Sequence, residues 1–241
     1  MKLARMPDGG PEIFYTLQGE GRNTGRPSVF IRSSLCNLHC RWCDTAYTWN
    51  WEGTDFVHDS AGKYSRDEQI IDLSIDKIVE AVSAYSCSNF VFTGGEPLIQ
   101  EKAWSDLMEA LSGNFEIETN GTLFPSDSFL ERIDQLNVSP KLTNSGIANE
   151  LRFKPEVLQQ LSATGKADFK FVVGDQSEFT EVQNICEEAN IPADRVFLMP
   201  EANSPAELEA NQGFVADLAQ QHGLNYSDRL HLRLFGAKRG V

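Results

Sequence analysis

A chain of 241 residues suffices for one domain with a real core, and its 41% hydrophobic content excludes a disordered tract. Its 21 Lys plus Arg against 35 Asp plus Glu give a formal net charge of −14, which excludes nucleic acid and anionic membrane as direct partners, since phosphate binding needs clustered cations. No apolar run approaches the ~20 residues that span a bilayer, and Met1-Lys2-Leu3-Ala4-Arg5 leads into Asp8-Gly9-Gly10-Pro11 with no signal peptide, so the expected compartment is the cytoplasm.

After a loop-like start, Ser28–Arg32 reads as a buried strand. Residues 33–68 hold three of the five cysteines and three of the four tryptophans without a period of 2 or 3.6, so they form a long irregular segment of the kind that carries function. The pattern then alternates. Helices are expected at Ile75–Ala84, Glu101–Leu111, Ser126–Leu136, Pro155–Leu161, Ser177–Ala189 and Pro205–His222. Strands are expected at Asn89–Thr93, Phe115–Thr119, Asp168–Val173, Arg195–Met199 and Leu230–Phe235, with Val138 leading into Ser139-Pro140. This is the signature of βαβ units and a parallel sheet. Gly, Asn, Ser or Pro follows nearly every strand, at the sheet edge where loops carry chemistry in barrels and open sheets alike. About six such strands fall short of a closed eight-stranded barrel. The expected architecture is α/β, an incomplete (β/α)6-type barrel with the cysteine loop after the first strand; a doubly wound open sheet is the alternative.

Five cysteines without an export signal exclude a disulfide scaffold and leave metal binding or catalysis. Cys36, Cys40 and Cys43 form Cys-x3-Cys-x2-Cys directly after the first strand. Thiolates are soft ligands that select iron–sulfur clusters, zinc or copper(I). A structural zinc wants a closed fourth position, and His39 lies awkwardly between two of the cysteines. Three cysteines without a fourth ligand suit a four-iron cluster with one iron open, and a three-Cys zinc knuckle completed from elsewhere is the alternative. Cys87 and Cys186 read as core residues.

Cys36-Asn-Leu-His-Cys40-Arg-Trp-Cys43 resembles the signature of radical S-adenosylmethionine (SAM) enzymes, and Thr93-Gly94-Gly95-Glu96-Pro97 resembles that family's GGEP segment. Glu118-Thr119-Asn120-Gly121 and Ser139-Pro140-Lys141 fall where the family places further SAM contacts. Within it, Phe14–Gly21, Arg32, Cys43-Asp44-Thr45 and Ser139-Pro140-Lys141-Leu142 resemble the 7-carboxy-7-deazaguanine synthase family, from about Glu12 to Pro200. The resemblance implies a single radical SAM domain over 1–241, with an irregular insertion at about 47–68.

It also implies the reaction and its cofactors: a [4Fe-4S] cluster on Cys36, Cys40 and Cys43, SAM as a regenerated cofactor, and Mg²⁺ on Thr45. Hydrogen abstraction from C6 of 6-carboxy-5,6,7,8-tetrahydropterin, ring contraction and loss of ammonia would yield 7-carboxy-7-deazaguanine. The implied SAM contacts are Trp42, Cys43, Asp44, Gly95, Ser139, Pro140, Lys141, Pro200 and Glu201. The implied pterin contacts are Leu17, Gln18, Gly19, Glu20, Arg32 and Thr93. Read from the residues alone, Thr45 is an ordinary helix cap, and Arg32 at a strand end is an anion-site candidate, with an ion pair to a nearby carboxylate as the alternative. A flavodoxin-type reductase is the implied electron donor and a homodimer the implied assembly.

Met199-Pro200-Glu201 departs from the family, many members of which have Gln before the proline. Some members hold substrate with a histidine near the C-terminus and the terminal carboxylate; the tail Leu230–Val241 leaves open whether His231, Arg233 or its own carboxylate takes that role. Tyr47–Ser65, with Trp49 and Trp51, reads as a flap near the cluster and a docking face for the reductase. Rival readings are a glycyl-radical-enzyme activase and a zinc-stabilised interaction module.

Overall fold

Side-chain alternation along the central strands decides the architecture. The computed structural model describes residues 1–241. In chain order the elements are β1 (Lys2–Ala4), β2 (Ile13–Leu17), β3 (Pro27–Ser33), α1 (Arg66–Gln69), β4 (Ile70–Asp72), α2 (Ile75–Val82), β5 (Asn89–Gly94), α3 (Glu101–Ala110), β6 (Asn114–Thr119) and α4 (Asp127–Arg132). They continue with β7 (Gln135–Val138), α5 (Asn149–Arg152), α6 (Pro155–Ala163), β8 (Ala167–Val173), α7 (Gln176–Glu188), β9 (Val196–Pro200), α8 (Pro205–His222), β10 (Asn225–Tyr226) and α9 (Leu230–Phe235).

One sheet runs β10-β9-β8-β7-β6-β5-β3-β1-β4, with β2 added on β3. From β3 through β5, β6, β7, β8 and β9 to β10 every pairing is parallel; β1, β2 and β4 pair antiparallel. β10 and β4 end the path without meeting, so the barrel is incomplete as expected.

Odd and even positions face different worlds, because successive strand side chains point to opposite sides. Val29 and Ile31, Phe90 and Phe92, Phe115 and Ile117, Leu136 and Val138, and Phe169 and Phe171 join one continuous core under the helices. Trp104 of α3 stacks on Phe92 with ring centroids 4.4 Å apart and is fully buried. The intervening residues, among them Arg32, Thr93, Glu118, Asn137 and Lys170, face a cavity inside the curve of the sheet. Buried parallel strands are ordinarily apolar on both faces. This polar inner face is where the fold departs from packing alone.

The loop from β2 to β3 closes the N-terminal end of the barrel. Arg22 grips Asp168 through Nε at 2.6 Å and Nη2 at 2.8 Å, and Arg195 adds Nη1 at 3.2 Å. Asn23 Nδ2 donates to Glu116 Oε1 at 2.7 Å. These contacts tie the floor beneath the interior.

Three expectations need correction. The N-terminal stretch is not a loop: β1 and β2 add to β3, a long-range pairing that strands this short do not announce. The helix expected over Ser126–Leu136 stops at Arg132, and Gln135–Val138 turns into a strand because it fills the slot between β6 and β8. Ser126 precedes the helix without a side-chain cap, since its hydroxyl donates to Glu101. Leu230–Phe235 is a helix, although it alternates like a strand; β10 already occupies the edge of β9, and of this segment Leu232 is buried. No helix is long and apolar enough to cross a membrane.

Candidate functional site

A cavity of about 530 Å³ opens at the C-terminal ends of the parallel strands. The chain leaves β3 through Leu35, whose φ of +80° lies in the left-handed region, a conformation costing a non-glycine residue roughly 1–3 kcal/mol. Neighbouring backbone holds it: Leu35 N donates to Thr48 O at 3.1 Å, and Leu35 O accepts from Glu96 N at 2.8 Å. That turn throws Cys36, Cys40 and Cys43 into the cavity wall. Leu38 N donates to Cys36 Sγ at 3.5 Å, and Thr45 Oγ1 lies 3.4 Å from Cys43 Sγ.

Burial pushes all three thiols up, Cys40 to about 11. Metal binding to them therefore displaces protons. No three Cys, His, Asp or Glu side chains gather around the position of a single ion. His39 is turned to packing: its ring stacks on Phe56 with centroids 3.5 Å apart. Three soft thiol donors with His39 turned away would suit an iron–sulfur cluster, which Cys36, Cys40 and Cys43 would hold.

The Gly94-Gly95 turn fits against the cysteine loop. A Cβ on Gly95 would stand 2.2 Å from Leu35 O and 2.8 Å from Cys36 Cβ, so glycine is required there by the loop itself. Glu96, fully buried, does not line the cavity. Its carboxylate accepts from Leu98 N at 3.0 Å, Thr119 Oγ1 at 2.9 Å and Asn120 N at 2.8 Å, and so ties the loops after β5 and β6 together. Trp42, Ser139 and Lys141 line the same wall: Lys141 Nζ donates to Ser139 Oγ at 3.0 Å and sits 5.5 Å from the Trp42 ring centre. Trp42 Nε1 is buried without a partner, a donor aimed at nothing the chain provides. Pro140, Pro200 and Glu201 stand outside the cavity lining; Glu201 instead accepts from Asn144 Nδ2 at 3.2 Å.

On the opposite side, Leu17, Gln18, Gly19, Glu20, Arg32 and Thr93 all line the cavity. Arg32 Nε donates to Glu12 Oε1 at 2.8 Å, and Nη1 lies 3.4 Å from Thr93 Oγ1. Arg32 thus makes the ion pair with a nearby carboxylate and also lines the cavity. Burial opposes its charge, but Tyr47 and the carboxylates of Glu12, Asp44 and Glu118 keep it protonated. Thr93 Oγ1 donates to Glu118 Oε2 at 2.7 Å, and Gln18 Nε2 approaches Glu118 Oε1 at 3.4 Å. Burial would raise the Glu20 carboxyl, but the cations of Lys170 and Arg229 hold it well below the usual range.

The sequence profile of the radical SAM superfamily matches residues 30–201. Over 233 residues, 95% of each chain, the protein is 37% identical to the 7-carboxy-7-deazaguanine synthase of Pyrobaculum aerophilum. It is 35% identical to that of Halobacterium salinarum, covering 93% of this chain and 89% of the other. The chain belongs to the 7-carboxy-7-deazaguanine synthase family of radical SAM enzymes. The crystal structure of QueE from Escherichia coli superposes with a TM-score of 0.67 at 23% identity over 96% of this chain and 95% of that one, a likeness of fold.

Membership of the radical SAM superfamily brings a [4Fe-4S] cluster and SAM, and both find matching features here: three cavity-lining thiols, a glycine turn pressed on their loop, and an unpartnered indole N–H. Several cavity residues of this synthase-family chain escape sequence reasoning. Glu12 and Tyr47 meet beside Arg32, Lys170 projects from β8, and Arg229 and Arg239 arrive from the C-terminal segment; Glu118, read only as part of a SAM-side segment, stands instead beside Thr93 and Gln18, and His231 also lines the cavity. A signal did exist for Lys170 and for the inward side of Glu118: ionisable residues at alternate positions of apolar strands, Glu116 and Glu118, then Asp168 and Lys170. His231 lies with Nε2 4.0 Å from Glu20 Oε1, while Arg233 turns outward to Asp228. The expected flap is anchored: Tyr47, Thr48, Trp49 and Asn50 are buried, and Lys63 Nζ donates to Asn50 Oδ1 at 2.8 Å. Phe56 and Val57 remain exposed on it.

Proposed function

We propose that this cavity converts 6-carboxy-5,6,7,8-tetrahydropterin into 7-carboxy-7-deazaguanine with loss of ammonia. The observation that carries the reading is that the three-cysteine loop and the Arg32–Thr93–Glu118 wall face one another in one cavity. When bound, the cluster and SAM supply radical hydrogen-atom abstraction, chemistry that belongs to the cofactors. The protein's share is position, electrostatics and exclusion of water. Cys36, Cys40 and Cys43 hold the cluster; Trp42, Asp44, Gly95, Ser139 and Lys141 line the SAM side. Arg32, as a planar two-pronged donor, suits the pterin carboxylate, and Thr45 offers a hard oxygen to a Mg²⁺ shared with that carboxylate. Gln18, Thr93 and Glu118 present donors and acceptors to the ring edge.

The same reading takes in a flavodoxin-type reductase docking by the exposed Phe56 and Val57, a homodimer, and a cytoplasmic setting. The test is anaerobic reconstitution with iron and sulfide, then turnover with SAM, reductant and the tetrahydropterin, the product identified by mass. A colourless protein that holds one zinc and no iron removes the cluster; an iron-loaded protein that leaves the pterin intact removes the substrate.

A further inference from the structure

Arg229 stands where three loops meet. Its side chain is 9% exposed, and its guanidinium is fully engaged. Nε donates to Glu20 Oε1 at 3.1 Å, Nη2 to Asp44 Oδ2 at 2.7 Å, and Nη1 to the carbonyl of Ala202. Glu20 belongs to the loop after β2 that also carries Gln18, on the pterin side. Asp44 lies between Cys43 and Thr45, on the SAM side. Ala202 follows β9.

Backbone contacts lock the same junction. Leu230 N donates to Gly19 O at 2.9 Å, and Gly21 N to Ser227 Oγ at 2.8 Å. A Cβ on Gly19 would stand 2.3 Å from His231 Nδ1, so the loop and the start of α9 are in direct contact.

The division of labour at this junction is informative. Glu20 has a second cation, Lys170, so Arg229 is not its sole counter-ion. Asp44 has Arg229 as its one ion-pair partner. What Arg229 adds is the connection: a rigid planar fork engaged at both ends fixes the spacing of the two carboxylates, which a flexible ammonium would not.

We propose that Arg229 is a positioning residue that joins the pterin loop to the SAM side of the cavity, so that filling one side orders the other. The SAM half of this rests on the superfamily's cofactor, and the pterin half on the reading given under Proposed function.

The experiment uses the cluster-reconstituted protein, left unreduced so that no turnover occurs, and reads amide hydrogen exchange over Gln18–Gly21 with and without SAM. In the wild-type chain SAM slows exchange there by roughly fivefold or more, the low end of measured couplings between sites. In Arg229→Met the slowing falls below roughly twofold while iron content stays the same. Asp44→Ala cuts the far end of the link and leaves Arg229 on Glu20; with SAM binding measured separately and SAM held at saturation in every variant, it loses the slowing as well. The double variant shows no further loss, as members of one connection must. No slowing in the wild-type chain, or full slowing in either single variant, overturns the proposal. Pterin binding to the same samples is measured separately. If the pterin fails to bind, the substrate reading falls while the SAM-driven result still stands or fails by itself.

Discussion

Glu12 holds Arg32 at 2.8 Å through Nε, and the same carboxylate accepts from Tyr47 OH at 3.0 Å and from Arg239 Nε at 2.8 Å. Glu12 is 1% exposed, so one buried charge orients the cavity's arginine and fastens the C-terminal tail. Arg239 also stacks on the Tyr47 ring at 3.6 Å, and Gly236 through Val241 line the cavity.

Glu12→Gln should therefore act on stability and on substrate affinity together. Losing a charged acceptor shared by three donors costs about 2 kcal/mol of unfolding free energy. KM for the pterin rises more than kcat falls, because Arg32 loses its hold, and residues 236–241 become open to carboxypeptidase. Urea unfolding and steady-state kinetics check it; an unchanged KM would separate Glu12 from the site.

The lone hydroxyl of Thr45 gives a narrower expectation. Thr45→Ala retains iron content and SAM binding and loses stimulation of turnover by Mg²⁺. A variant whose metal dependence matches the parent's excludes Thr45 as the ligand.

The cysteines divide by position. Cys36→Ala abolishes the cluster's visible absorbance after reconstitution. Cys87→Ala keeps it and costs about 1 kcal/mol, since Cys87 is half-buried against the core with Sγ donating to Pro27 O at 3.4 Å. Loss of absorbance in both variants would erase the distinction.

Gly95→Ala places a methyl 2.2 Å from Leu35 O. The cysteine loop must shift to admit it, so iron loading drops sharply although Gly95 itself binds no iron. Normal iron content in this variant would mean the loop accommodates the methyl freely.

His231 supplies a pH dependence. Burial, outweighing the pull of Glu20, holds its imidazole below the usual range. The folded chain then binds that proton more weakly than the unfolded chain. Its contribution to stability is intact above about pH 6.5 and declines as pH falls toward the depressed folded value. The melting temperature of the parent should fall more between pH 7.5 and pH 5.5 than that of His231→Gln. Equal declines would show that His231 does not contribute.

Local sequence alone determines the alternating strands and helices, the loop Cys36–Cys43, the Gly94-Gly95 turn and the synthase-family motifs, because each is written in neighbouring residues with their own spacing. It also places most of the cavity wall, from Leu17 to Lys141. Tertiary structure decides the rest. β1 and β2 become strands only by pairing with β3; Gln135–Val138 becomes one by filling a gap between neighbours; and Leu230–Phe235 gives up a strand-like pattern because the edge of β9 is taken. The charged partners Glu12 with Arg239 and Asp44 with Arg229 lie 227 and 185 residues apart. A salt bridge has no period, and the spacing that makes it exists only once the chain has folded.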